Sequence, residues 1–247
     1  MLYYTVVCMK GGLFMDKVIK IAKIFFFMLV KRIILLFTTV LRKNDSDTYY
    51  KIVRSWAQYT IRIIKAQVET VGQDNLPEGN CLFVSNHQSN VDIPLILSQI
   101  DKPMGFIAKK QLEHVPLMSF WMKKIHCVFL NRDSVRDAVE SINEGARILQ
   151  NSSSMVIFPE GTRSRQDTMG DFKKGSIKLG LKASVPIVPL TICGSYKSYE
   201  QNNKFTPSSI KLVIGKPIYI ENLSKEEKKN LTEIIKESIQ NNYDLSH

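Results

Sequence analysis

Cysteine is scarce in this 247-residue chain and never clustered: Cys8, Cys81, Cys127 and Cys193 stand far apart. That spacing argues against a zinc site and against a disulfide framework, and it reads as reduced thiols in a cytosol-facing protein. No Gly-x-Ser-x-Gly elbow is present, which removes the usual serine-hydrolase signature. An internal repeat and low-complexity tracts are also lacking, so the chain does not read as a solenoid. Acidic residues are in the minority, 23 against 34 Lys and Arg, for a net charge of +11 with His neutral. That balance points to a polyanionic partner: nucleic acid, an anionic membrane surface or phosphorylated substrates. Apolar and aromatic content is ordinary, and the length suffices for one full core, with or without an appendage.

What is present centres on Ser85-Asn86-His87-Gln88-Ser89-Asn90-Val91-Asp92. Leu82, Phe83 and Val84 lead into it as a buried strand, and Ile93-Pro94-Leu95 reads as the start of a helix. His87 and Asp92 would point about 140° apart on one helix and lie roughly 17 Å apart on one strand, so they meet only if the chain turns between them. Gln88-Ser89-Asn90 is competent to make that turn. A carboxylate that accepts the proton of one imidazole nitrogen fixes the tautomer and leaves the other nitrogen as a base for a hydroxyl. The same residues also suit a loop histidine beside a helix cap, and alone they leave both readings open.

The N-terminal 66 residues read as a membrane-docking pair of helices, with residues 67–247 as the main domain. Met15-Asp16-Lys17 is a candidate true start, which intact mass of the native protein would settle. Residues 18–41 are the most apolar part and long enough to span a bilayer. However, Lys31 and Arg32 sit mid-run, where each costs about 2.5–3.5 kcal/mol on insertion scales. Lys17, Lys20, Lys23 and Lys31 fall within roughly one third of a helical wheel, so an interfacial or re-entrant helix, with its lysines towards headgroups, fits better than a straight span. No small-residue cleavage site follows, so the segment does not read as a secretory signal. After a polar break at Asn44-Asp45-Ser46-Asp47, residues 48–66 form a second amphipathic helix. Lys51, Arg54, Ser55, Gln58, Arg62 and Lys65 make its polar stripe and Ile52, Val53, Trp56, Tyr59, Ile63 and Ile64 its apolar face. That face suits either a membrane or the domain core.

Beyond Gln67, apolar runs alternate with helical patterns. Strands are predicted over 68–71, 81–85, 104–108, 126–130, 155–158, 187–192 and 210–214, and helices over 91–99, 117–124, 134–150, 176–182 and 225–242. The alternation predicts an α/β layered domain with a mostly parallel central sheet flanked by helices, its reactive loops beyond the carboxyl ends of the strands. The strand at 187–192 has prolines at 186 and 189. It is therefore expected at an edge, or to be irregular, lining an apolar slot. Phe158-Pro159-Glu160-Gly161-Thr162-Arg163-Ser164-Arg165 follows a buried strand. Arg suits bidentate phosphate recognition, Gly lets backbone amides approach an anion, and Glu160 is placed to orient the arginine or bond a substrate hydroxyl. A solvated turn with a surface ion pair is the alternative. Lys109 and Arg132 each follow a strand and are candidates for a phosphate or a developing oxyanion, or plain surface charges.

Four blocks in this order resemble the lysophospholipid acyltransferases, specifically the 1-acylglycerol-3-phosphate acyltransferases. They are His87-x4-Asp92, Phe129-Leu130-Asn131-Arg132, Phe158-Pro159-Glu160-Gly161-Thr162-Arg163-Ser164 with Phe172-Lys173-Lys174-Gly175, and Val185-Pro186-Ile187-Val188-Pro189. The second block departs from the pattern at His126 or Cys127, where Gly is common, and at Asn131, where Asp is common; Arg132 is kept. The resemblance covers roughly 68–220 and implies the glycerolipid acyltransferase fold on a membrane at its cytoplasmic face, the inner membrane if the source is bacterial. It implies His87, held by Asp92, as base for the sn-2 hydroxyl of lysophosphatidic acid. Lys109 is the candidate for oxyanion stabilisation, and Arg132, Glu160, Gly161, Thr162 and Arg163 would hold the glycerol phosphate. The acyl donor would be acyl-CoA or acyl carrier protein, membrane phospholipid the surroundings, with no metal, no cofactor and no nucleic acid required. Rival readings are acylation of glycerol 3-phosphate or another lyso-lipid, a basic membrane-surface or nucleic-acid-binding protein without activity, and a serine hydrolase using Ser85 or Ser89.

Overall fold

The computed structural model describes residues 2–39, 46–131 and 134–245. Arg132 and the Asn44-Asp45 half of the expected polar break lie outside the described residues, and Ser46-Asp47 already belong to a helix. Seven strands form one sheet: β1 (Ala66–Val71), β2 (Leu82–Ser85), β3 (Met104–Lys109), β4 (Val128–Leu130), β5 (Ser154–Ile157), β6 (Ile187–Cys193) and β7 (Ser208–Ile214). Their order across the sheet is β1-β7-β6-β2-β5-β3-β4. Strands β6, β2, β5, β3 and β4 are mutually parallel, while β7 runs antiparallel to β6 and parallel to β1. A parallel block needs cover on both faces, and its strands are accordingly apolar on both. In β2, Phe83 belongs to one core and Leu82 and Val84 to the other, following the two-residue alternation of a strand.

Eight helices accompany the sheet among the described residues: α1 (Leu2–Thr39), α2 (Ser46–Ile64), α3 (Asp92–Gln99), α4 (Pro116–Lys124), α5 (Val135–Asn151), α6 (Lys178–Ala183), α7 (Lys225–Lys229) and α8 (Leu231–Asp244). Side chains of α2, α3 and α4 share a core with Phe83, Val156 and Leu190, whereas those of α5, α6 and α8 share the other with Leu82, Met155 and Ile187. The elements expected beyond Gln67 are present, with ends that coincide or shift by one or two residues. The last helix is broken at Asn230 into α7 and α8, and α7 is started by a capping box between Ser224 and Glu227. His126 is a left-handed residue (φ 59°) outside β4, not the start of a strand.

The proline-bearing strand corrects one expectation: β6 is internal, between β7 and β2. Leu82 donates to the Pro186 carbonyl, so even-numbered residues of β6 face β2 and odd-numbered ones face β7. Ile187 exchanges both its bonds with Ile218, and the Pro189 carbonyl accepts from Gly215. The missing Pro189 N–H therefore falls between Gly215 and Ile218, beyond the end of β7 at Ile214. The proline sits where its partner strand has stopped, so no ladder bond is lost.

α1 begins well before the apolar run that marks it in the sequence. Ile24, Met28 and Leu35 are buried, and Phe27 stacks on Tyr59 of α2 at 5.1 Å. Against the expectation of lysines towards headgroups, Lys17 bonds Asn203 and sits over the Tyr199 ring, and Arg32 sits over Phe120, while Lys20 pairs with Asp16 of the helix itself and Lys23 is exposed. The opposite side exposes Val18, Ile19, Phe25, Phe26, Leu29, Ile33 and Leu36, which fall within roughly one third of a helical wheel as one stripe. α2 differs: Tyr50, Val53, Ala57, Ile61 and Ile64 are buried in the core with α3 and α4. Of the apolar face expected for it, Val53 and Ile64 are buried and Ile52 and Trp56 pack partly buried against the core, while the buried side is completed by Tyr50, Ala57 and Ile61. Among the described residues no helix is long and apolar enough to cross a membrane.

Candidate active site

β2 ends in Ser85, and the chain turns at once. Asn86 anchors the departure, its amide exchanging two 2.8 Å bonds with the Ile192 backbone of β6. The Asp92 N–H donates to the Ser89 carbonyl, closing the turn, and Asp92 opens α3. The His87 ring then lies 2.7 Å from Asp92, Nδ1 to Oδ2. Asp92 has no exposed surface and also accepts from the backbone N–H groups of Gln88 (2.8 Å) and Ser89 (2.9 Å) and from the Ser195 hydroxyl (2.5 Å). With that many donors aimed at it the carboxylate is an acceptor throughout, so Nδ1 carries the proton and Nε2 is left with its lone pair. The His87 ring is clamped from the side by Phe158, centroids 4.0 Å apart and nearly parallel. So held, at the carboxyl end of a central strand where sheets of this kind place their chemistry, His87 can serve as an oriented base.

The second loop leaves β5 at Phe158. Gly161 is left-handed (φ 73°) and donates to the Phe158 carbonyl, turning the chain back over β2. Ser164 N–H donates to the His87 carbonyl at 2.8 Å, so the two loops are bonded to each other. Glu160 does not meet Arg163. Its two oxygens accept from the backbone N–H groups of His87 (2.6 Å) and Gly170 (2.8 Å), and it is 6% exposed. Burial raises its pKa above the ordinary carboxylate value, opposed by those two bonds. Arg163 instead pairs with Glu200 at 2.9 Å, and Thr162 is exposed at the tip of the loop.

Lys109 ends β3 and is exposed. Three residues earlier Phe106 stacks on Phe158 at 6.4 Å, so β3 reaches the same edge. Among the described residues no hydrogen bond or ion pair joins Lys109 to His87, Asp92 or Glu160. The position of Arg132 is outside the described residues; its neighbour Asn131 donates to Asp137 at 2.7 Å. A polar cleft of about 490 Å³ lies there, lined by Lys110, Asn131, Asp137 and Glu144 among others, and not by His87.

Four residues of the site carry no signal in the sequence. Ser195 and Glu200 follow β6 about a hundred residues after His87, in a segment without a motif. Gln88 donates to the Tyr243 hydroxyl at 2.7 Å and accepts from Ser195, and Tyr243 in turn donates to Asp167. The Tyr243 pKa is pushed up, by burial first and by Asp167 second. The C-terminal helix thus braces the turn that holds His87.

A mostly parallel α/β sheet with a carboxylate-held histidine at one strand end and an arginine loop bonded beside it is a class of arrangement that can activate a hydroxyl next to an anion. The comparisons with known proteins narrow it. The model of the Acyltransferase family matches residues 67–193, half of the chain, and the chain belongs to that family. It is 34% identical over 159 residues to a probable 1-acyl-sn-glycerol-3-phosphate acyltransferase of Mycoplasma pneumoniae, covering 62% of this chain and 59% of that one. It is 32% identical over 176 residues to a chloroplastic 1-acyl-sn-glycerol-3-phosphate acyltransferase of Brassica napus, covering 69% and 50%. The chain thus spans only half to three fifths of these relatives' lengths. The solved 1-acyl-sn-glycerophosphate (LPA) acyltransferase of Thermotoga maritima superposes with a TM-score of 0.79 at 27% identity, over 95% of this chain and 96% of that one.

Proposed function

We propose that the chain transfers a fatty acyl group from a thioester to the sn-2 hydroxyl of 1-acyl-sn-glycerol 3-phosphate, giving phosphatidic acid. The observation that carries the reading is the 2.7 Å bond from His87 to Asp92, which leaves Nε2 as a fixed base. Nε2 takes the hydroxyl proton as the oxygen attacks the thioester carbonyl. The tetrahedral intermediate expels the thiolate, and the imidazolium returns the proton to it. Acyl-CoA or acyl carrier protein is the donor and acts as a substrate. Arg163, with Arg132, is assigned to the acceptor phosphate, and Gly161 and Thr162 form the loop around it. Glu160 shapes this loop from beneath, its oxygens being taken up by backbone amides. Lys109 is assigned to the oxyanion. The acceptor is a membrane amphiphile, and the exposed stripe of α1 together with a charge of +11 supports membrane attachment at the cytoplasmic face.

The test uses the purified full chain with oleoyl-CoA and a panel of lyso-acceptors, reading thiol release and the lipid product by mass. Lysophosphatidic acid should be preferred, and His87→Ala should lower the rate by roughly 10²–10⁴-fold, the worth of a general base, while vesicle binding persists. Absence of a preference for lysophosphatidic acid, or near wild-type transfer by the variant, would sink the reading.

A further inference from the structure

The proposed mechanism leaves unused the most heavily bonded carboxylate outside the His87–Asp92 pair. Glu200 follows the turn after β6, and its side chain is 3% exposed. One oxygen accepts from the Asn90 N–H at 2.9 Å and from Arg163 Nη1 at 2.9 Å. The other accepts from the Ser89 hydroxyl. Ser89 is also part of the base turn: its N–H donates to Asp92, its Oγ accepts from Val91 N–H, and its carbonyl accepts from Asp92 N–H. A single buried carboxylate therefore holds the turn that presents His87 and, through one guanidinium nitrogen, the arginine of the second loop. Arginine carries five N–H donors, so one bond to Glu200 fixes the plane of the group and leaves the others to a phosphate.

We propose that Glu200 is a positioning residue that sets the distance between the acceptor's phosphate, held by Arg163, and its hydroxyl, held by His87. This rests on the acceptor reading given above. In a glycerol phosphate the separation of phosphate and hydroxyl is fixed by a few bonds, so a base and an arginine mounted on independently moving loops would seldom meet both at once. Tying both loops to one carboxylate removes that freedom. Glu200 is assigned to the acceptor alone, so binding of the thioester donor should not depend on it.

The experiment compares the full chain with Glu200→Gln, Arg163→Gln and the double variant. It reads three things: direct binding of a water-soluble short-chain lysophosphatidic acid without donor, KM for acceptor and donor separately, and the thermal midpoint. A charge-assisted hydrogen bond is at stake, so Glu200→Gln should weaken the probe and raise the acceptor KM roughly tenfold, with the donor KM changed less than about twofold. The double variant should bind the probe no worse than Arg163→Gln. If Glu200→Gln does not fold, Glu200→Asp decides. It keeps the charge but is one methylene short of reaching both loops, and it should still raise the acceptor KM several-fold. Wild-type probe affinity in the folded variant, a parallel loss for acceptor and donor, or full additivity with Arg163→Gln overturns the proposal. A wild type that binds the probe but transfers no acyl chain to it removes the function proposed above and leaves Glu200 to be judged by binding. A wild type that does not bind the probe overturns both.

Discussion

Glu160 and Glu200 are buried glutamates on the two sides of His87, and they differ in what holds them. Glu200 has a cation, Arg163, within 2.9 Å. Glu160 has only backbone amides, and burial raises its pKa. A carboxyl whose folded pKa lies above its unfolded value binds its proton more tightly in the folded state. Its contribution is fully present below the unfolded value, about 4.3 for a free glutamate, and is lost as pH rises through the raised value. The amide of Glu160→Gln has no such proton. Relative to that variant, the wild type should therefore gain stability as the pH is lowered through the carboxylate range. That is opposite in sign to the acid destabilisation expected of a salt-bridged carboxylate. Denaturant midpoints of both proteins at pH 4 and pH 7 measure it, and a wild-type advantage that shrinks in acid would contradict the assignment.

At the scale of elements, what sequence reveals depends on how local the cause is. The pairing of His87 with Asp92 was legible because Gln88-Ser89-Asn90 between them is competent to turn, and because both partners lie within one short stretch. Ser195 and Glu200 were not, since their partners are fixed by the register of β6 against β2 and not by any spacing along the chain. The strands themselves were legible as short apolar runs. The order across the sheet was not, and it reverses the reading of β6: a proline excluded from a regular central strand is admitted where the neighbouring strand ends. Glu160 was placed in the right loop, but which groups its oxygens meet follows from the fold of that loop over β2. The account of β6 makes a quantitative expectation. Pro189→Ala restores an N–H that finds no partner on β7 and frees the unfolded chain. The variant should lose about 0.4–1 kcal/mol rather than gain a ladder bond, as a change in denaturant midpoint. An increase in stability would show that the position can complete the sheet after all.

At the scale of the whole molecule, the helical wheel already separates the lysines of α1 from its apolar surface, but what the sequence does not show is that Lys17 and Arg32 reach residues of the domain. Lys31 and Arg32 interrupt the apolar run when it is read along the chain, yet on the helix they turn away from the exposed stripe, Lys31 over Phe27 of the same helix and Arg32 over Phe120 of α4. The outer stripe is left continuous, with Phe26 66% and Leu36 64% exposed. Because the apolar face of α2 packs on the core, α1 supplies the apolar surface of the N-terminal pair. Lys17 of the same helix bonds Asn203, in the segment that carries Glu200, so the helix and the base turn are joined through that segment. The triple variant Phe25→Glu, Phe26→Glu, Leu29→Glu alters only exposed positions, and its thermal midpoint should stay near that of the wild type. Its partition onto anionic vesicles should fall by on the order of a hundredfold or more. Each apolar side chain withdrawn from water is worth about 1.5–3 kcal/mol, and three are replaced by charges that repel the surface. Transfer to a short-chain, water-soluble acceptor should persist, because the substitutions lie outside the bonded loops around His87. Sedimentation with vesicles at moderate salt reads the first effect and thiol release the second. Undiminished sedimentation of the triple variant would mean that the basic surface of the domain, and not the stripe of α1, attaches the protein to lipid.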